Sequence, residues 1–289
     1  MLDIQLSRLL PVSEYGIIYE ELKENNLNQK GDFVMYALVF DTETTGLDKP
    51  FCYDLGYLIL DMNSKCFVKQ CHFVIEQIWH NLPLFESAYY KEKRVNYIKA
   101  MRAHTIVMDK WGYIMQSLYR DIKKYNITDA YAYNSDFDDK VFTFNCDWFK
   151  CNNPLETIAI HDIWGYASEY ILDTDNYKLF CEQNQYFTDA GNYKGSAEIV
   201  YRYLTNDPSF IEAHMGLPDS QIEACILSNC VAMGANWATD YQVKKIVPRL
   251  ISKPFVIKVD GNEVYRGTYV KKSVVFDTYN FKSGIKLGS

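Results

Sequence analysis

Short apolar runs rich in strand-forming residues recur along the first part of the chain, each bounded by turn residues. The first run is Met35–Asp41, and it is followed by Tyr57–Met62 and by Cys66–Glu76, with Asn63 and Ser64 as a turn between the last two. Runs of this length and composition are typical of buried or half-buried strands. Because short turns join neighbouring strands in antiparallel fashion, the sequence predicts three consecutive antiparallel strands.

Helical spacing of apolar residues begins after these runs. Phe85–Tyr125 has this spacing, together with good helix formers and a polar face of Lys and Arg, so we predict a helical region throughout. The other predicted elements are strands at Ala130–Tyr133 and Ile158–Ile163 and helices at Asp136–Asp147, Ser196–Leu204 and Asp219–Ala232. This order predicts an α/β core with helices on both faces of a central sheet.

The two ends of the chain differ from this α/β region. Near the start, Ser13–Glu24 is helix-like and is followed by a polar run with the composition of a linker. Near the end, Phe255–Val259 and Glu263–Val270 flank an Asp-Gly pair, which supplies the positive φ angles of a tight hairpin turn. The predicted parts are an N-terminal extension (1–35), one main domain (36–233) and a small β-rich C-terminal appendage (234–289).

Charge is unevenly distributed along the chain. The net charge is −7, yet residues 241–289 contain ten Lys and Arg against three Asp and Glu. An acidic protein does not coat nucleic acid by overall charge, since non-specific binding comes from neutralising phosphates. The basic tail is either a phosphate-facing element or a solvated β-surface, and charge alone leaves both interpretations open.

Hydropathy and cysteine usage both point to the cytoplasm. No stretch of about 18 apolar residues occurs, and the first residues lack the basic start and apolar core of a signal peptide. We therefore expect neither a membrane protein nor a secreted one. Three of the cysteine pairs share a four-residue gap, which leaves structural zinc as the alternative to reduced, mostly buried thiols. We favour the thiols.

Two carboxylates follow the first predicted strand. Asp41 and Glu43 are two residues apart, so on an extended chain they project from the same face. A pair of carboxylates at the end of a strand can hold a cation. Thr44, Thr45 and Gly46 come next, and their hydroxyls and accessible backbone suit close approach to a ligand.

Two further acidic positions lie at the starts of predicted helices. Asp138 follows Asn134, at which the strand turns into a helix; its neighbours Asp136 and Asp139 fit ordinary partners of the helix dipole. Asp219 opens the last helix, with His214 in the loop before it. A neutral imidazole beside bound metal ions can take a proton from water near pH 7, which is the role of a general base.

Three segments in this order, FDTETTGLD, YNSDFDDKVF and HMGLPDSQIEACIL, resemble the three motifs of the DEDDh family of ribonuclease-H-like 3′-to-5′ exonucleases. The five family positions fall on Asp41, Glu43, Asp138, His214 and Asp219. A related subclass has Tyr in place of His, and its position is filled by Met215. The resemblance therefore favours the histidine subclass.

The resemblance spans about Tyr36 to Met233, and Ser196–Leu227 is similar to phage-encoded members in particular. One departure is the Gly-Leu-Pro stretch before Asp219, at which the family usually has helix formers. A proline in the first helical turn is sterically acceptable, so the departure does not disable the site.

The resemblance implies a mixed central sheet flanked by helices and a site for two Mg²⁺ ions, with Mn²⁺ as a substitute. Asp41 would bridge both ions, with Glu43, Asp219 and Asp138 as the other ligands and His214 as the base. The implied reaction releases 5′-mononucleotides from the 3′ end of single-stranded DNA. The expected substrate contacts are Thr44, Leu47 and Asn134.

Two alternatives stay open beside this reading. The same carboxylates would serve an enzyme that trims RNA, because discrimination depends on contacts to the 2′-hydroxyl. A protein of the same fold could also bind nucleic acid or a replication partner without cleaving it.

Overall fold

The computed structural model describes residues 35–248 in full and, for the backbone alone, residues 250–259 and 262–272. The helix-like stretch predicted at Ser13–Glu24 lies outside the described residues.

A mixed sheet runs through the described part of the chain. Its six strands are β1 (Tyr36–Thr44), β2 (Cys52–Asp61), β3 (Phe67–Ile75), β4 (Val107–Asp109), β5 (Asp129–Ala132) and β6 (Ala159–Asp162), in the order β4-β3-β2-β1-β5-β6. β1 with β2 and β2 with β3 pair antiparallel, whereas β3 and β4 pair parallel. The predicted mixed sheet and its three consecutive antiparallel strands are confirmed.

Helices flank the sheet. They are α1 (Glu76–Trp79), α2 (Leu82–Phe85), α3 (Arg94–Arg102), α4 (Trp111–Lys124), α5 (Ser135–Phe149), α6 (Ile163–Ala167), α7 (Asp175–Asn184), α8 (Ala197–Thr205) and α9 (Gly216–Ala232). The predicted helices at α5, α8 and α9 are confirmed, and α9 begins at Gly216, ahead of the predicted start. The sequence analysis did not include α6 and α7. No helix among the described residues is long and apolar enough to cross a membrane.

The helical region predicted at Phe85–Tyr125 is wrong in its middle. After α3 the chain turns at His104, which has a left-handed φ of 58°. Residues 107–109 then form β4, which pairs with residues 73–75 of β3. Three residues are too few to show a strand period, and only the neighbouring strand gives them a hydrogen-bonding partner.

The chain forms two compact units, each assembled from separate stretches. Of the residues described in full, the first unit holds 35–130, 137–159 and 214–220, and the second holds 131–136, 160–213 and 221–248.

The core of the first unit is built on β2, whose side chains are buried from Cys52 to Leu60 on both faces. Burial on both faces explains why Tyr57–Leu60 in this strand is a continuous apolar run. Aromatic rings fill the space beside it: Phe142 packs edge-on against Phe40 at 5.3 Å and against the fully buried Trp111 at 5.4 Å. This packing fastens α4 and α5 to β1, the strand that carries the first predicted carboxylates.

The second unit includes the stretch that follows α9. The Tyr241 ring packs edge-on against Tyr166 with 4.7 Å between centroids, and its backbone lies so close to Gly165 that any side chain there would collide. The Ile246 carbonyl accepts a hydrogen bond from the Tyr193 N–H. Beyond this stretch, β7 (Leu250–Val259) and β8 (Asn262–Lys272) pair antiparallel, which confirms the predicted hairpin.

Candidate active site

The end of β1 presents the first two carboxylates. Asp41 and Glu43 are both half-buried and alternate with Thr42, which is buried on the opposite face. β1 extends through Thr44, so both carboxylates belong to the strand itself and share one of its faces.

Asp138 is fastened to the same strand. It lies in the first turns of α5 with 3% of its surface exposed, whereas Asp136 and Asp139 are exposed. Its Oδ1 accepts hydrogen bonds from the Thr42 N–H at 3.1 Å and from the Thr42 hydroxyl at 2.6 Å. Of the three acidic residues in this turn, Asp138 is therefore the one that packs against β1.

Two glycines bring the start of α9 directly onto the sheet. A Cβ at Gly56 of β2 would collide with the backbone of Gly216 and Leu217, and a Cβ at Gly216 would collide with the Gly56 N–H. The Ser220 hydroxyl also donates to the Gly56 carbonyl at 3.1 Å. A backbone-to-backbone contact leaves no room for a side chain, which explains the glycine at a position where the resembled family has helix formers.

Asp219 and His214 enter the site from this helix start. Asp219 is 4% exposed, and its Oδ2 accepts the Met215 N–H at 2.8 Å, which closes the first turn. His214 has a left-handed φ of 46°. Its ring stacks on Tyr90 with 4.3 Å between centroids and 12° between planes. The turn and the stacked ring together fix the direction of the imidazole.

Glu43, His214 and Asp219 meet. Each offers a ligand atom, and these atoms lie within 4.8 Å of one another, a group that could hold a metal ion. Two carboxylates and an imidazole are donors that suit Mn²⁺, and the oxygens alone suit Mg²⁺. The residues present therefore fit the divalent ion that the sequence analysis expected.

Asp41 and Asp138 are not members of this group of three. Both nevertheless act on the buried thiol of Cys52. Its pKa is raised well above the ordinary value by burial first, then by the negative charges of Asp54, Asp138 and, less strongly, Asp41. All five predicted residues belong to the first unit.

The three expected substrate contacts do not all belong to the same unit. The Thr44 hydroxyl donates to the Gly46 carbonyl at 3.2 Å, and the Leu47 side chain is 81% exposed beside the end of β1. Asn134 belongs to the second unit, has a φ of 64°, and donates its N–H to the Asp162 carboxylate at 2.9 Å. Burial raises the pKa of Asp162, against the effect of the backbone N–H groups it accepts.

Sequence reasoning missed two residues that touch this site. Tyr90 stacks on His214, and the only local sign is an aromatic pair followed by a Lys-rich turn. Asp54 contacts Gly216 and is the buried one of the two charged residues of β2, the other being Asp61 at its end. A charge within a buried strand is a signal available from the sequence, because it needs partners to be tolerated there.

No protein-family model matches the chain, and no curated protein matches it by sequence. Solved structures similar to the chain include a DEDDh nuclease. This is the nuclease domain of 3′hExo, a DEDDh family member bound to rAMP: identity is 9%, the TM-score is 0.45, and the match covers 75% of this chain and 100% of that one.

Two similar structures are of E. coli Exonuclease I, in complex with a dA16 and a 5cy-dA13 oligonucleotide. Their identities are 15% and 10%, and their TM-scores are 0.37 and 0.38. Each match covers 67% of this chain and 40% of the Exonuclease I chain.

Proposed function

We propose that the protein is a metal-dependent 3′-to-5′ exonuclease that releases 5′-mononucleotides from single-stranded DNA ends. The observation that supports this most strongly is the meeting of Glu43 with His214 and Asp219, whose ligand atoms lie within 4.8 Å of one another. These residues come from the first and third motifs that resemble the DEDDh set, and 171 or more positions separate Glu43 from the other two in the sequence. The three residues are therefore neighbours only in the folded chain.

The carboxylates would hold the metal ions. Asp41, Glu43, Asp138 and Asp219 are the proposed ligands of two Mg²⁺ ions, as the resemblance implies. Bound divalent ions supply charge stabilisation for the attacking and leaving oxygens of phosphodiester hydrolysis. Asp138 accepts two hydrogen bonds from Thr42 through Oδ1, and these bonds hold its carboxylate beside β1.

His214 is the proposed general base. It would take a proton from the water whose oxygen forms the new bond to phosphorus, while the bond between phosphorus and the 3′-oxygen of the preceding nucleotide breaks. The stacked Tyr90 ring restricts rotation of the imidazole, so that one ring nitrogen stays directed at the carboxylates. Exposed Leu47 and the Thr44 hydroxyl are the proposed contacts to the terminal nucleotide.

The test is digestion of 3′-labelled and 5′-labelled single-stranded DNA and RNA of one sequence, with Mg²⁺ or with EDTA. Wild type is compared with His214→Ala and with His80→Ala, a surface histidine outside the site. We expect Mg²⁺-dependent release of mononucleotides from the 3′ end of DNA, lost in His214→Ala and retained in His80→Ala. Cleavage of RNA alone would replace the DNA proposal, and no turnover of either polymer would favour a binding module without catalysis.

A further inference from the structure

Asp54 is a buried carboxylate that the proposed chemistry does not use. It lies in β2 directly opposite Glu43 of β1 and is 0% exposed. Its Oδ1 is 2.8 Å from His72 Nε2, and its Oδ2 accepts the Tyr97 hydroxyl at 2.6 Å and the Gly216 N–H at 2.9 Å. Burying a carboxylate is costly unless it is well hydrogen-bonded, so all three partners matter to its presence here.

The bond to Gly216 reaches the first residue of α9. The first N–H groups of a helix have no partner within the helix, and Asp54 supplies one of them with an acceptor. Tyr97 keeps its proton to donate, because burial, followed by the charge of Asp54, raises its pKa well above the ordinary value. Gly216 lies between His214 and Asp219 in the chain, so its backbone position sets where both side chains begin.

The contact of Gly216 with Gly56 and this hydrogen bond limit opposite movements of the helix start. The two backbones already touch, so the helix start cannot move closer to β2. The hydrogen bond that the Gly216 N–H donates to Asp54 opposes movement of the helix start away from β2. Together the contact and the bond confine the helix start from both sides.

We infer that Asp54 is a positioning residue: it fixes the start of α9 against β2 and thereby holds His214 and Asp219 beside Glu43. The catalytic consequence rests on the proposed function, whereas the attachment itself is a property of the fold. The two can therefore fail separately.

Two variants separate the bond from the charge. Asp54→Ala removes the acceptor for the Gly216 N–H. Asp54→Asn keeps one acceptor oxygen, which can still take that N–H and the Tyr97 hydroxyl, while its amide group faces the His72 ring. The asparagine variant should therefore rescue what the alanine variant loses.

Asp121 provides a matched control. It is another buried carboxylate of the first unit, 4% exposed, and it accepts the Tyr57 hydroxyl at 2.7 Å and the Lys69 ammonium at 2.6 Å. Asp121→Ala breaks a comparable buried network without touching α9. A general loss of stability appears in both alanine variants, and a positioning effect appears only in Asp54→Ala.

Hydrogen exchange measured by mass spectrometry tests the attachment without reference to activity. In Asp54→Ala, amides of residues 214–220 should exchange about tenfold faster than in wild type, as expected when one buried hydrogen bond is lost. Asp54→Asn and Asp121→Ala should stay within about twofold of wild type in that segment. Unchanged exchange in Asp54→Ala would overturn the inference, whatever the enzyme does.

Kinetics and Mn²⁺ binding test the consequence. Per folded molecule, Asp54→Ala should lower kcat on the labelled oligonucleotide by about 10- to 100-fold and weaken Mn²⁺ binding by about tenfold, with KM changed by less than about threefold. Faster exchange with wild-type kcat in an active enzyme would overturn the catalytic half. Absence of wild-type cleavage would instead remove the proposed function and leave the exchange result to decide the attachment. If Asp54→Ala does not fold, Asp54→Ser, which is too short to reach Gly216, gives the same readouts.

Discussion

Gly56→Ala tests whether the backbone contact under α9 sets the geometry of the site. A Cβ at Gly56 would lie 1.9 Å from the Leu217 nitrogen, whereas ordinary van der Waals contact begins at 3.4 Å. The start of α9 must therefore retreat from β2 by about 1.5 Å, or β2 must bend by as much. Overpacking of this kind costs about 1 to 3 kcal/mol of unfolding free energy.

The same displacement should lower the activity of the enzyme more than its unfolding free energy. A misplacement of about 1 Å can lower the rate of a positioned reaction about 100-fold. We therefore expect kcat per folded molecule to fall by about 100-fold in Gly56→Ala, with the folded fraction measured by urea titration. The matched control is Gly112→Ala in α4, where the new Cβ would meet only the Cys151 Cβ at 4.0 Å, so stability should stay within about 1 kcal/mol of wild type. A Gly56→Ala enzyme whose kcat stays within about threefold of wild type would refute the reasoning.

Three other predictions follow from the described contacts. Tyr90→Ala should lower kcat by about two- to tenfold, because the ring stacked on His214 is lost. Tyr90→Phe keeps the ring and should retain most of the wild-type kcat. Equal losses of kcat in both variants would contradict a role for the ring. A thiol reagent at pH 8 should modify the exposed Cys66 first, and Cys66→Ser should remove this fast phase of the reaction. The reason is that burial raises the pKa of Cys181 and Cys230 to about 12, which leaves little thiolate to react. A fast phase that survives in Cys66→Ser would count against this burial. Deleting residues 249–289, which spares the packed Tyr241, should weaken DNA binding and flatten its salt dependence while kcat changes little, and an unchanged salt slope would argue for a solvated surface.

Local sequence was enough to place most of the elements around the site. The apolar run before Asp41 has the length and composition of a buried strand, and the acidic first turn of α5 suits the positive end of the helix dipole. β4 could not be predicted in this way, because its three residues acquire a partner only from β3. The additional helix α6 has only five residues, too few to show a helical period, and in α7 polar residues interrupt the apolar ones, so that no clear period marks it.

The sequence predicted candidate residues for the site, but not the contacts that hold them in place. The motifs indicated His214 and Asp219, yet nothing in their order indicated that Tyr90 stacks on the imidazole. The glycine at 216 read as a departure from a family pattern. In the structure it is required, because Gly56 occupies the space a side chain would need.

The sequence by itself determined which residue types stand at the ends of strands and the starts of helices, since these depend on neighbours a few positions away. It also determined the order of the three motifs. Only the tertiary structure decided which of the 37 acidic residues meet, and it brought Glu43 and Asp219 to one point through the contact of two glycine backbones. The physical reason is that burial and close packing act between segments far apart in the chain, where no local pattern records them.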